Sequence, residues 1–373
     1  MIEVMVGLLI GLVATVVMFQ VFAVFEGQKR STSGAGDAQQ NGVASLYQVE
    51  RDARMAGYGI NFPPLLGCQI NGWYESTGTA FTLILAPVVI TNGAAGAPDA
   101  ITFMYGDSDL FMAPAKLTQT MPSPAAVYKV DNRFGFHEGD MMIAAEAGKP
   151  CTLAQASTLP GPPGNTDNVI HNSGTYTDPA GGQTPTQYNK PGGLGTAYGA
   201  WNQTTNTGGR VYNIGALPTV VTYAIQNSAL TLTNLLTPGA GSVSTLAEGV
   251  VQIQAQYGYD GNGDGAVPAT APSNAVLALG AADQWGDSMP AAATAADWQK
   301  VIAVRLAVVA RSMQPEKPNP ATNLCDATTA APIWQTKGVA IDLSANPNWK
   351  CYRYRLFEVT VPLRNMVWYA EPS

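Results

Sequence analysis

From Val4 to Phe25 the chain runs 22 positions without a charge, bounded by Glu3 on one side and by Glu26, Lys29 and Arg30 on the other. A run of that length suits one helical crossing of a bilayer core. A secretory h-region is shorter and ends in small residues, and Phe22-Ala23-Val24-Phe25 has no such site, so the stretch is expected to stay on as an anchor. Beyond it, Ser31-Thr32-Ser33-Gly34-Ala35-Gly36-Asp37 is poor in helix formers and predicts a weakened, bent or locally unwound segment. Helical spacing then resumes: Val43, Leu46, Ala53 and Ala56, with Tyr47 alongside, form an apolar stripe, while Glu50, Arg51, Asp52 and Arg54 face out or pair. Gly57 and Gly59 are expected to stop this helix, and Pro63-Pro64 to forbid its return.

Past the helix the pattern changes to short strands. Ala80–Ile90 is a near-continuous apolar run, followed by Ala100–Tyr105, Val127–Val130 and Met141–Ala145. Between about 158 and 210 periodicity is lost, and Gly, Pro, Thr, Asn and Gln dominate. A stretch of this kind predicts a surface insertion of ordered and flexible loops, serving as a contact surface or as a tolerated insertion. Tyr176, Tyr188, Tyr198 and Trp201 argue that part of it is ordered. Strands return at Arg210–Leu217, Val220–Ile225 and Leu230–Leu236, with Gln226-Asn227-Ser228 as a hairpin turn. In Leu246–Tyr259, Val251, Ile253, Ala255 and Tyr257 alternate with Gln252, Gln254 and Gln256, the signature of a half-buried strand. Trp298–Ser312 reads as a long strand with arginines on one face. Trp334, Val339–Leu343 and Tyr352–Leu363 complete the set.

The fold class is therefore α+β, a long N-terminal helix packed on an antiparallel β-rich domain with a long loop insertion. Residues 1–30 form the membrane half of the helix and 31–59 the half that packs on a sheet. Residues 60–373 form the β-rich domain.

Composition narrows the setting. Of 373 residues only 12% are charged, against roughly 25% in ordinary soluble domains, with Gly 39 and Pro 26. That suits an exported, loop-rich protein. A net charge of −7 argues against nucleic acid as a partner, since phosphate binding wants a basic surface. Four cysteines, Cys68, Cys151, Cys325 and Cys351, fit two disulfides in an oxidising compartment. Three pairings exist; Cys325–Cys351 closes a short C-terminal loop and leaves Cys68–Cys151 for the early half.

Asp260-Gly261-Asn262-Gly263-Asp264-Gly265 is D-x-N-x-D-G, the front half of a calcium loop. Oxygens of Asp260, Asn262 and Asp264 would converge on one ion, Gly265 supplies the sharp turn and Ala266 its carbonyl. Position 12 is Ala271, not Glu, so the loop is no EF-hand, and a further ligand must come from Asp283, Asp287 or Asp297. The competing reading is a hairpin of Asp, Asn and Gly without an ion.

Catalytic motifs are missing from the sequence: it has two histidines, His137 and His171, and no G-x-S-x-G, HExxH, P-loop or Rossmann fingerprint. Gly106-Asp107-Ser108 and Gly286-Asp287-Ser288 mimic an esterase start, but no histidine follows His171 to serve as a late base. No enzyme is expected.

Several of these stretches resemble one family. Met1-Ile2-Glu3-Val4-Met5-Val6-Gly7-Leu8-Leu9-Ile10-Gly11-Leu12-Val13 is similar to the start of a mature type IV pilin. Glu50-Arg51-Asp52-Ala53-Arg54-Met55-Ala56-Gly57-Tyr58-Gly59 resembles the end of that helix in PilW-type minor pilins of Gram-negative bacteria. Gly139-Asp140-Met141-Met142-Ile143 with Cys151, the Tyr-Gly strand end before the calcium-like loop, and the tail Arg353–Asn365 are similar to further landmarks of the family. In such families a prepilin peptidase removes a basic leader, leaving an acid five residues from the new terminus. Here the acid is the third residue.

The resemblance implies a subunit whose helix enters a helical bundle, with Glu3, Gly7 and Gly11 as assembly residues. Glu3 would meet the free amine of a neighbouring subunit, and the GxxxG of Gly7 and Gly11 would let backbones approach. It implies the company of other minor pilins and of a PilY-type tip adhesin. It implies residence in the inner membrane with the large domain in the periplasm, and then in the pilus. A minor pseudopilin of a type II secretion system, or an anchored surface binding protein, are the alternatives.

Overall fold

The computed structural model describes residues 2–60, 65–108, 114–164, 167–237, 239, 242–319 and 321–367. Helix α1, Ile2–Met55, is continuous for 54 residues, so the expected weakening at 31–37 does not occur. The reason lies across the interface. A Cβ on Gly34 would sit 2.8 Å from the Ser312 Cβ, and one on Gly42 would sit 2.0 Å from the Phe357 ring. These glycines are points of close approach between helix and sheet, where packing holds the helix against its weak local propensity.

The buried stripe of α1 is Gly34, Ala38, Gly42, Ser45, Val49, Asp52 and Ala53. Val43 and Tyr47, expected in that stripe, are exposed, while Leu46 is partly buried against the core. The seam uses small residues, and the larger apolar ones lie outside it. The helix stops where Gly57 and Gly59 take φ of +85° and +72°. Pro63 and Pro64 lie outside the described residues.

Three large sheets follow among the described residues. The one that carries the helix runs Ser273–Val276, Gln284–Ser288, Val250–Tyr259, Val301–Arg311, Tyr354–Pro362 in spatial order. The second half of α1 packs across its last two strands. A middle sheet runs Val243–Glu248, Ala229–Asn234, Thr219–Gln226, Ala100–Tyr105, Val88–Thr91. An outer sheet runs Thr79–Ile84, Gln69–Tyr74, Cys151–Gln155, Met141–Ala145, Arg210–Gly215, Ala115–Lys116. Pairing is antiparallel except between Gln69–Tyr74 and Cys151–Gln155 and between Ser273–Val276 and Gln284–Ser288, which are parallel.

The apolar run at Ala80–Ile90 is two strands, broken at Leu85-Ala86-Pro87, because Pro87 cannot continue a ladder. Leu246–Tyr259 is likewise two, split at Gly249 with φ +76°. The second of them is buried on both faces rather than half-buried: Gln252 and Gln256 are 4% and 0% exposed. Trp298 belongs to a short helix, α2 (Ala295–Gln299), and the strand begins at Val301. Val304, Leu306 and Val308 join the main core with Val49 and Ala53 of α1. On the opposite face Ala307 and Val309 pack with Trp334, Ile341 and Leu343, so residues 313–352 roof that side.

Cys68 is joined to Cys151 and Cys325 to Cys351. The first bond lies beside the parallel strand pair in which Ile70 faces Cys151. The second closes off most of the roofing segment.

The 158–210 stretch is largely ordered. Thr175–Thr177 pairs with Gln183–Pro185, Asn168–Val169 pairs with Tyr128–Lys129, and Tyr198 is fully buried. Side-chain amides pin it to the outer sheet: Asn189 Oδ1 accepts the Gln155 N–H at 2.8 Å, and Asn189 Nδ2 donates to the Gln155 carbonyl at 2.7 Å. Trp201 stacks with Arg210, whose guanidinium carbon lies 4.1 Å from the ring centroid.

Candidate functional site

The apolar half of α1 has no packing partner among the described residues. Every side chain described from Ile2 to Arg30 is exposed, including Leu8, Leu9, Leu12, Phe19, Phe22 and Phe25. Its most hydrophobic 18-residue window has a mean hydropathy of 2.6, and the helix is long and apolar enough to cross a membrane. A Cβ at Gly7 or Gly11 would meet nothing within 4 Å, so both glycines are bare backbone open to a neighbour. Glu3 lies in the first turn and forms no ion pair among the described residues.

The other half of α1 is locked in register. Asp52, which looks like an outward charge in the sequence, is 2% exposed. Its carboxylate accepts the Tyr223 hydroxyl at 2.6 Å and the Tyr105 hydroxyl at 3.3 Å, both from the middle sheet, and pairs with Arg51 at 3.1 Å. The helix C-terminus is closed from the far end of the chain: Asn365 Nδ2 donates to the carbonyls of Met55 and Ala56 at 3.0 and 3.1 Å. Local periodicity cannot reveal either lock, since each joins residues more than 50 positions apart.

The D-x-N-x-D-G loop follows the strand Val250–Tyr259. Asp260 is 5% exposed, and its two oxygens accept the N–H groups of Gly263 and Gly265 at 2.7 and 2.8 Å. Gly263 and Gly265 adopt φ of +78° and +83°, conformations that favour glycine. Asn262 Oδ1 accepts the Asp264 N–H, and Asp264 Oδ1 accepts the Ala266 N–H. Of the three further acids, Asp283 reaches the loop. It accepts the N–H groups of Gly261 and Asn262, and its Oδ2 shares the Asn262 Nδ2 with Asp264 Oδ2, at 3.1 and 3.0 Å.

The other two acids are committed elsewhere. Asp287 pairs with Lys337 at 2.7 Å, and Asp297 closes a capping box with Thr294 at the start of α2. Among the described residues no cluster of three or more His, Cys, Asp or Glu is placed to hold a metal. As built, the loop is a hydrogen-bonded turn in which one amide group separates two carboxylates.

The histidines do structural work. His171 stacks on buried Tyr128 at 4.1 Å, its Nε2 lies 3.0 Å from the Ala126 carbonyl, and burial lowers its pKa. His137 Nδ1 lies 3.5 Å from Asp140.

Apart from α1 itself and Tyr105, the helix locks, the helix-bearing sheet and the Asp260 loop share one region of sequence. Residues 211–365 match the family model described as type IV pilus-assembly protein W, PilW. This region is similar to the PilW family. It takes in the whole helix-bearing sheet, three strands of the middle sheet, the Asp260 loop, the second disulfide and Asn365. The PilW region thus supplies most of the surface on which α1 rests, and α1 fits a prepilin-like helix. Comparison with curated proteins and with solved structures gives no match. That similarity supports involvement in type IV pilus assembly, which implies interaction with other pilus components.

Proposed function

We propose that the protein is a minor pilin, a structural subunit that helps to initiate or cap type IV pilus assembly. One observation carries the reading. A bare apolar half-helix continues without interruption into a half-helix seated on the PilW region. In water such a surface is a liability; in a bilayer or in a bundle of like helices it is a docking surface. Before assembly α1 would cross the inner membrane once with the β-rich domain in the periplasm, and afterwards it would lie among other pilin helices. Gly7 and Gly11 would allow a close helix crossing, and Glu3 would pair with a neighbouring terminal amine, relieving the cost of an acid near the apolar layer. A PilY-type tip adhesin is the further partner in this reading.

The test uses the full-length chain in cells. With a photo-crosslinker at Leu8, adducts to other pilins are expected, and Glu3→Gln should reduce them severalfold. A deletion strain should carry fewer pili. Adducts to lipid alone, with pilus number unchanged in the deletion strain, would overturn the reading.

We also propose calcium for the Asp260 loop, on the D-x-N-x-D-G spacing and the arrival of Asp283. Asp260, Asn262, Asp264, the Ala266 carbonyl and Asp283 would hold the ion, with Asn262 turning its carbonyl oxygen inward. When bound, calcium would neutralise carboxylates and stiffen a glycine-rich turn.

A further inference from the structure

On the face of the helix-bearing sheet turned away from α1, a cleft of about 460 Å³ opens between the roofing segment and the middle sheet. Arg311 stands in it at the end of its strand. The guanidinium carbon lies 4.1 Å from the Tyr352 ring centroid, Nη2 donates to Ser228 Oγ at 3.3 Å, and the group also hydrogen-bonds the Tyr354 side chain. A guanidinium has five N–H donors. These neutral partners leave donors free, and no ion pair among the described residues includes Arg311. In a chain of net charge −7, a cation held between two tyrosines without a carboxylate is built to receive one.

The rest of the lining says what kind of carboxylate. Val251, Pro98 and Leu343 give apolar wall, and Asp342 also lines the cleft. The Asp342 carboxylate accepts the Ser344 N–H at 2.8 Å, which holds it below the usual carboxylate range, so it stays ionised. An inorganic dianion would meet repulsion there. A peptide brings a carboxylate for Arg311, main-chain N–H groups for Asp342 and apolar side chains for the walls. We infer that this cleft binds an acidic peptide segment of a partner protein, with Arg311 taking the side-chain carboxylate. The Cys325–Cys351 bond fixes the wall bearing Tyr352.

The test is fluorescence anisotropy on the full chain in detergent micelles, in 50 mM salt. The probe is a fluorescein-tagged, end-blocked apolar pentapeptide with a central glutamate, compared with its glutamine counterpart. The glutamate peptide is expected to bind at least tenfold more tightly, and Arg311→Gln should erase the difference. Should that variant fail to fold, Ala345→Trp, on the exposed rim, should block the cleft and abolish binding with Arg311 intact. Equal binding of the two peptides, no binding of either at 1 mM, or an undiminished preference in a folded variant would each overturn the inference. These outcomes do not depend on whether α1 assembles into a pilus.

Discussion

Asp99 shows what the interior does to a single carboxylate. It is 2% exposed where the middle sheet meets the helix-bearing sheet, and its oxygens accept the N–H groups of Gly93 and Ala255 at 2.8 and 2.7 Å. Burial raises its pKa to about 6, against the pull of those two bonds; nearby Asp287 adds to the rise and Lys337 opposes it. The native state therefore keeps a proton that the unfolded chain, near 3.8, has already released. The stability this contributes is present below about pH 4 and is lost as pH rises through about 6, at most about 3 kcal/mol. Thermal melting of wild type and Asp99→Asn across pH 4 to 7 checks this. The variant should start less stable, and its deficit should shrink as pH rises; a constant deficit would refute the assignment.

Gly42 is a second residue whose role the sequence conceals. In an exposed helix, Gly→Ala gains about 1 kcal/mol. Here the added methyl would enter the Phe357 ring, and overpacking costs about 1–3 kcal/mol. Gly42→Ala should therefore lower the melting temperature, and adding Phe357→Leu should recover part of the loss. Composition alone makes Gly34 and Gly42 look like helix breakers, because it shows the absent Cβ and not the neighbour that needs the space. Asp52 is hidden for the same reason: its tyrosine partners lie 53 and 171 residues away.

Among the elements, those with strong local signals are legible and those made by distant packing are not. The apolar run of α1, the strands Ala100–Tyr105 and Met141–Ala145, and the hairpin turn, where Asn227 and Ser228 both take positive φ, lie where the pattern puts them. Alternation in Val250–Tyr259 suggests one wet face, yet Gln252 donates to the Asp342 carbonyl of the covering segment, and Gln256 donates to Ser273 and Asp287. The 158–210 insertion has no periodicity because side-chain amides, rather than an alternating apolar face, fix it.

The Asp260 loop is the element whose motif is plainest and whose chemistry is still a proposal. Chelator added to the full chain should lower its melting temperature by several degrees, and Asp264→Ala should remove that response. A transition unmoved by chelator in wild type would leave the loop as a hydrogen-bonded turn.

For the whole molecule, the unbroken course of α1 matters most. At about 1.5 Å per residue, its 54 residues make a rod on the order of 80 Å long. It has no hinge between the bare end and the end clamped by Asp52 and Asn365. Rotating or drawing the free end must turn or drag the β-rich head by the same amount, as a key turns with its shaft. Wherever the tip of the shaft is gripped, the heading of the insertion and of the Arg311 cleft is decided there, some tens of ångströms away.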